Sequence, residues 1–299
     1  MQTKLFILAG IICLLVCWIP ATGQVEAIQK GSSIEIRIDG KYFATYISSQ
    51  EEKYPFFFPV NGPTGASVTS MRNGTYPHHS SLFFGCDKVN GGNYWQEGID
   101  RGQILAVQTH IAESGAEKVV IEQECLWHRP GARAPIKDFR TIIITSPEKD
   151  LFQLDFEATM EMLMDVTIER TNHSLFSARV DPDLAVINGG VMTNAQDELS
   201  EAGTFGKASG WMDISGPRGE GMEGIAIMQH PSNRWYPSPW FTRDYGFFSP
   251  TPMYWPENED EGTKLEKGDL VILKYRVLVH SGDAKSARIA DHFKQYIAK

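Results

Sequence analysis

The feature that most constrains this chain is strict period-two alternation beside tight turns. Ser33-Ile-Glu-Ile-Arg-Ile38 places an apolar residue at every second position, Asp39-Gly40 follows, and Lys41-Tyr-Phe-Ala-Thr-Tyr46 returns. Only an extended strand gathers such a pattern on one face. Asp-Gly between two such runs reads as a hairpin turn. The signature recurs. Gln103 to Ala112 and Glu117 to Trp127 flank Glu113-Ser-Gly-Ala116, and Phe139 to Thr145 and Leu151 to Thr159 flank Ser146-Pro-Glu-Lys-Asp150. Glu161 to Arg170, Gly224 to Met228 and Leu270 to His280 alternate as well, and Leu82 to Phe84 reads as a short buried strand. A helix is expected only at the end, from about Asp283 to Ala298, where Ile289, Phe293 and Ile297 recur every four residues and Ser281 or Asp283 can cap. Many strands, hairpin turns and little helix predict an all-β fold, with large antiparallel sheets packed as a sandwich and a short C-terminal helix.

The first residues carry one lysine, Lys4, then an apolar run from Leu5 to Ile19 and the small residues Ala21 and Gly23. That is the pattern of a signal peptide. Residues 1–23 are therefore read as a signal, 24–299 as a single β-sandwich domain, and the chain as exported, periplasmic or secreted. No later segment is long and apolar enough to span a membrane. Cys13 and Cys17 leave with the signal. Cys86 and Cys125 remain, as one disulfide or two buried thiols. With 28 basic and 37 acidic residues the chain is acidic, net −9, and has no basic stripe. This argues against nucleic acid as a partner.

Two segments carry chemistry. Tyr76-Pro-His-His-Ser-Ser-Leu-Phe-Phe-Gly85 sets two adjacent histidines after a proline and before an apolar run. In an extended segment His78 and His79 point to opposite faces. Further on, the strand ending in His230 leads into a proline-rich loop with Asn233, Arg234, Trp235 and Trp240, and then into Arg243-Asp244-Tyr245. Histidine transfers protons near neutral pH, arginine holds a carboxylate or a developing oxyanion, and aromatic faces suit a sugar. The plainer alternative makes Arg243 and Asp244 a structural ion pair and the tryptophans core caps.

Tyr76 to Gly85, Asn93-Tyr-Trp95, His230-Pro-Ser-Asn233, Pro239-Trp240, Arg243-Asp-Tyr-Gly246 and the tail Tyr275-Arg-Val-Leu-Val-His-Ser-Gly282 resemble the exported bacterial family often labelled "methane oxygenase PmoA", or PmoA-like. The resemblance covers nearly the whole mature chain. It implies an exported β-sandwich similar to the large supersandwich of galactose mutarotases and polysaccharide lyases, from polysaccharide-degrading bacteria of the Bacteroides and planctomycete type. The methane monooxygenase subunit of that name is an integral membrane protein, which this chain does not resemble. Trp127-His-Arg-Pro-Gly131 has no counterpart in the resemblance, so His128 rests on residue type alone.

Three readings follow. The first is a carbohydrate-active enzyme of lyase, dehydratase, hydrolase or mutarotase type. His79 (or His78) and His230 would be its acid and base, Arg243 its anion anchor, Asp244 the group orienting a histidine, and Tyr245 an aid to proton transfer. His78, Trp95, His128, Asn233, Arg234, Trp235 and Trp240 would line the substrate site. The second is a non-catalytic carbohydrate-binding protein stacking sugars on Trp95, Trp235 and Trp240. The third is a metal enzyme or oxygenase ligated by His78, His79, His128 and His230. No metal-ligand spacing such as H-x-H or H-E-x-x-H is present, and the sequence leaves any cofactor open.

Overall fold

The computed structural model describes residues 23–298. The signal-peptide reading therefore lies outside the described residues, apart from Gly23. Two eight-stranded antiparallel sheets dominate. The first runs, edge to edge, through Val25–Lys30, Ser33–Ile38, Lys41–Ile47, Phe56–Val60, Leu82–Cys86, Ser174–Arg179, Phe247–Pro250 and Trp240–Arg243. The second runs through Val191–Asn194, Trp211–Arg218, Gly221–Gln229, Leu270–Ser281, Leu151–Met162, Ile136–Glu148, Lys118–His128 and Gln103–Ser114. The alternating segments form the expected hairpins, with the turn at Asp39-Gly40 in place. One expected strand is largely absent: of Glu161 to Arg170, only Val166–Ile168 is a separate strand, paired with Thr263–Leu265.

The sheets meet through aromatic side chains. Phe43 contacts Phe152, Phe84 contacts Phe156, and Phe176 lies between Phe156 and Tyr275, with ring centroids 4.8–5.5 Å apart. The first residue of each pairing comes from the first sheet and its partners from the second. Burying each ring stabilises the fold by about 1.5–3 kcal/mol. This apolar interior holds a buried ion pair. Arg140 and Asp138, two residues apart on one strand face, are joined at 2.7 and 3.2 Å, and the Trp127 indole donates to the same carboxylate at 2.6 Å. Both charged side chains are essentially inaccessible. Cys86 and Cys125 are buried free thiols on strands of opposite sheets, which resolves the alternative left open by composition.

Part of the outer face of the second sheet is covered by the C-terminal helix. Ile289 and Tyr296 pack on Trp211, Met228 and Leu278. The helix is shorter than its periodicity suggests, Ile289–Ile297 rather than Asp283 to Ala298, and neither Ser281 nor Asp283 caps it. Asp283 instead accepts the Ser286 amide in a local turn, and Arg288, with a left-handed φ of 54°, stops the helix from extending backwards. Among the described residues no helix is long and apolar enough to cross a membrane.

Candidate functional site

Three neighbouring strands of the first sheet build the floor of the site. In register, Ser177 faces Phe83 and Arg179 faces Phe247. Phe84, Phe176 and Phe248 point into the sandwich, so the alternate residues Phe83, Ser177, Arg179 and Phe247 point to the outer face. The hairpin Met71–Asn73 and Tyr76–Ser80 lies over that face.

The hairpin delivers an aromatic pile. His79 lies nearly parallel to Phe247, 4.5 Å away, and to Tyr76, 5.0 Å away. Tyr76 in turn stacks on Tyr245 at 4.3 Å. Tyr245 is set by Gly246, whose φ is +92° and where a Cβ would lie 2.4 Å from Val180, so a glycine is required there. The Arg179 guanidinium lies over both tyrosine rings, 4.5 Å from Tyr245 and 5.2 Å from Tyr76. His78 meets His79 edge to face at 4.5 Å and approaches His173 at 5.8 Å. His173 is held by Asp87 at 3.4 Å and lies over Trp95. The two adjacent histidines therefore do not diverge to opposite faces. Their strand is short and distorted, with a register shift in its hairpin and left-handed residues at Arg72 and Ser81, so simple alternation does not hold.

The floor of this cluster is buried: His79, Arg179 and Trp95 are 3%, 5% and 0% exposed. Its rim of Tyr76, His78, His173 and Tyr245 is half-buried. His79 Nδ1, Trp95 Nε1 and Arg179 Nε and Nη1 are all buried without a hydrogen-bond partner. Most buried polar atoms in proteins are paired, and an unpaired one costs about 1–3 kcal/mol. Four such atoms lie within this one cluster.

Burial, then the neighbouring His78 and Arg179, pushes His79 down to about 2, so its imidazole is neutral at physiological pH. His78 is lowered too, by burial and by His173. Tyr245 is raised by burial and by Tyr76 and keeps its proton. A depressed histidine favours the folded state fully above its ordinary value of 6.5, and that contribution is lost as pH falls towards the folded value. Acidification from pH 6.5 should therefore destabilise the protein, His79 alone contributing up to about 1.4 kcal/mol per pH unit. In urea unfolding followed against pH, His79→Gln should flatten the acid slope by up to about one proton. An unchanged slope would show that His79 already titrates normally.

The second sequence cluster lies elsewhere. His230 packs edge-on to Tyr296 of the C-terminal helix at 5.2 Å, its Nδ1 lies 2.7 Å from the Ser232 hydroxyl, and Lys274, Arg276 and Glu157 surround it. That is the outer face of the second sheet. The whole sandwich core separates it from His79, so the two do not form an acid–base pair. Asn233 is a structural clamp, bonding both the amide and the carbonyl of Lys274. Arg234 lies 3.7 Å from Asp269 and over Trp235, which packs on the core edge. Trp240 is fully buried, its indole donating to Ser209 at 2.8 Å, and so cannot stack on a sugar. Trp95 is buried as well, beneath His173, and offers an N–H rather than a platform. His128 is half-buried at a strand end of the second sheet, opposite Gln103.

Arg243 and Asp244 flank the site without facing it. Arg243 donates to Glu201 at 2.9 Å, and Asp244 accepts the Glu201 amide at 2.7 Å while its own amide donates back to the Glu201 carboxylate. This reciprocal pairing ties the short helix Ser200–Thr204 to the turn before Gly246. Of the sequence candidates, the structure brings together His78, His79, Tyr245 and, beneath them, Trp95. It adds Tyr76, His173, Asp87 and Arg179. Arg179 left one overlooked sign, a lone arginine ending the apolar run Leu175-Phe-Ser-Ala-Arg179.

A family model matches residues 33–294, nearly all of the described chain. The chain belongs to DUF6807, a family of unknown function. No curated protein matches this DUF6807 sequence significantly. Among solved structures, it is similar to a galactose 1-epimerase from Lactobacillus acidophilus NCFM (7% identity, 88% of this chain and 99% of that one, TM-score 0.44). It is also similar to a protein assigned as an aldose 1-epimerase from Escherichia coli K12 (11% identity, 87% and 99%, TM-score 0.37). A polysaccharide lyase aligns at 10% identity over 88% of this chain and 33% of its own, with a TM-score of 0.30. At these scores no residue role passes from those proteins to the DUF6807 chain.

Proposed function

We propose that this DUF6807 protein is an exported carbohydrate-active enzyme, and that the His79 cluster is where it transfers protons to and from a sugar. The observation that carries the reading is the neutral, buried His79 with an unpartnered Nδ1, stacked in an aromatic pile beside unpartnered donors of Arg179 and Trp95. A purely stacking site has no use for such groups. His79 would take a proton from a sugar hydroxyl or C–H bond once a bound anion offsets the Arg179 charge that lowers its proton affinity, with the protonated Tyr245 returning one. Arg179 and the Trp95 N–H would stabilise negative charge as it develops on oxygen. Asp87 would hold the His173 ring in place at the rim.

The test is incubation of the purified protein with a panel of oligosaccharides covering neutral, acidic and acetylated sugars. Products are followed by anomeric proton NMR and mass spectrometry, in parallel with His79→Gln. Conversion by the wild type and loss in the variant is the expected result; conversion that survives in His79→Gln would move the chemistry to another site.

One observation favours the binding-protein reading. A groove of about 450 Å³ is lined by Trp235, Tyr236, Trp255, Arg234 and Lys264 on the other side of the chain's aromatic loop. Trp235, Tyr236 and Trp255 are half-buried there and leave ring surface open to a ligand. Sugar binding abolished by Trp255→Ala and indifferent to His79→Gln would support that reading instead. The metal-enzyme reading has less behind it: His128 and His230 lie apart from His78 and His79, and no group of three or more His, Cys, Asp or Glu side chains among the described residues could hold a metal ion.

A further inference from the structure

The charge state of Arg179 narrows what the site accepts. Arg179 is 5% exposed, and its Nε and Nη1 have no hydrogen-bond partner. No carboxylate among the described residues forms an ion pair with it. The groups acting on its charge are the rings of Tyr245 and Tyr76 above it. This sets it apart from the other buried arginines of the fold. Arg140 is bound by Asp138 and Arg276 by Asp155, each through two hydrogen bonds. Even the half-buried Arg218 has Asp181, Asp183 and Glu223 around it. A guanidinium cannot shed its proton to escape burial, and an uncompensated buried charge costs several kcal/mol. The fold pairs Arg140 and Arg276 with carboxylates and leaves Arg179 without a counter-charge of its own, so an anion supplied from outside would complete it.

We propose that Arg179 receives the carboxylate of an acidic sugar, so that the substrate class of this site is uronic-acid-containing oligosaccharides. This deepens the carbohydrate reading and rests on it. Three features select a carboxylate on a sugar. The guanidinium is a planar fork, and a carboxylate matches it with two parallel hydrogen bonds. The stacked rings of Tyr76 and Tyr245 both lie against the Arg179 guanidinium and restrict its movement. The unpartnered His79 Nδ1 lies in the same pile, contacting Tyr76 as Arg179 does, which suits a ligand with polar groups next to its carboxylate. Arg179 also lies beside the proposed base rather than at a remote rim, so negative charge drawn onto the carboxylate during proton removal would fall on it.

The test is calorimetric titration of the wild-type protein at pH 7 with di- and trisaccharides of galacturonate and glucuronate. Neutral galactose and glucose counterparts and a sulfated galactose oligosaccharide serve as comparisons. The expected result is that uronates bind about 10- to 100-fold more tightly than the neutral sugars, the range of a charge-assisted pair. Arg179→Gln should bring the two classes within about threefold, and Arg179→Lys should restore part of the gap. Neutral sugars binding as well as uronates would overturn the carboxylate assignment and leave the carbohydrate reading standing. Sulfated sugars preferred over uronates would also overturn it. No binding of any saccharide would remove both. Should the Arg179 variants fail to fold, the comparison of acidic and neutral ligands on the wild type decides alone.

Discussion

Replacing His79 by glutamine should cut turnover of the sugar substrate by about 100- to 10,000-fold, the range expected when a general base is removed. Glutamine keeps the approximate size of imidazole and a hydrogen-bonding end, so the pile of Phe247, His79 and Tyr76 should lose stacking without collapsing. The loss should fall on kcat more than on KM, because Arg179, Trp95 and the tyrosines remain to hold the ligand. Steady-state kinetics on the wild type, His79→Gln and His230→Gln separates the two sequence clusters. His230→Gln should leave kcat within about threefold, since His230 packs under the C-terminal helix with Tyr296. The reverse ranking would place the chemistry on the second sheet.

Removing the carboxylate of Asp138 should be the most damaging single change to stability, about 3–5 kcal/mol. Asp138 accepts two hydrogen bonds from Arg140 and one from Trp127 inside the sandwich. Asp138→Ala leaves the guanidinium inside the core against Phe84 and Phe156, shielded from bulk solvent and without its partner. The indole N–H loses its acceptor at the same time. The marginal stability of a domain this size is about 5–15 kcal/mol, so the variant should show a clearly lowered urea midpoint and poor expression. Asp138→Ala combined with Arg140→Leu should recover much of the loss, because an apolar pair in that space removes the uncompensated charge. A double variant as unstable as the single would mean that the pair does more than neutralise itself.

The architecture was readable from sequence wherever one strand face is buried and the other is wet. Ser33–Ile38 alternates in the structure as it does in sequence, whereas in Ile136–Glu148 the buried positions alternate but include Asp138 and Arg140 while Phe139 is exposed. Ser174–Arg179 and Phe247–Pro250 are not legible as strands in the sequence because they are buried on both faces and carry no alternation. Those two strands are the floor of the site, which is why Arg179 went unseen while His79 and Tyr245, in loops and strand ends rich in proline and aromatics, did not. The pairing of Leu82–Cys86 with Ser174–Arg179 spans about 90 residues of chain, and nothing local encodes it. The same limit explains His230. Its Pro-Ser-Asn loop has the composition of a binding loop, but residue types cannot say which of two sheets a strand joins. Gly221–Gln229 joins the second, so His230 arrives on the far side of the core, where Asn233 is spent on clamping Lys274.

The most direct test of the central claim is an NMR titration of histidine ring signals in the wild-type protein with the best-bound oligosaccharide. The account predicts that His78, His79 and His173 shift together with saturation at one affinity, while His230 and His128 stay unmoved. Shifts centred on His230, with the His79 cluster silent, would contradict it.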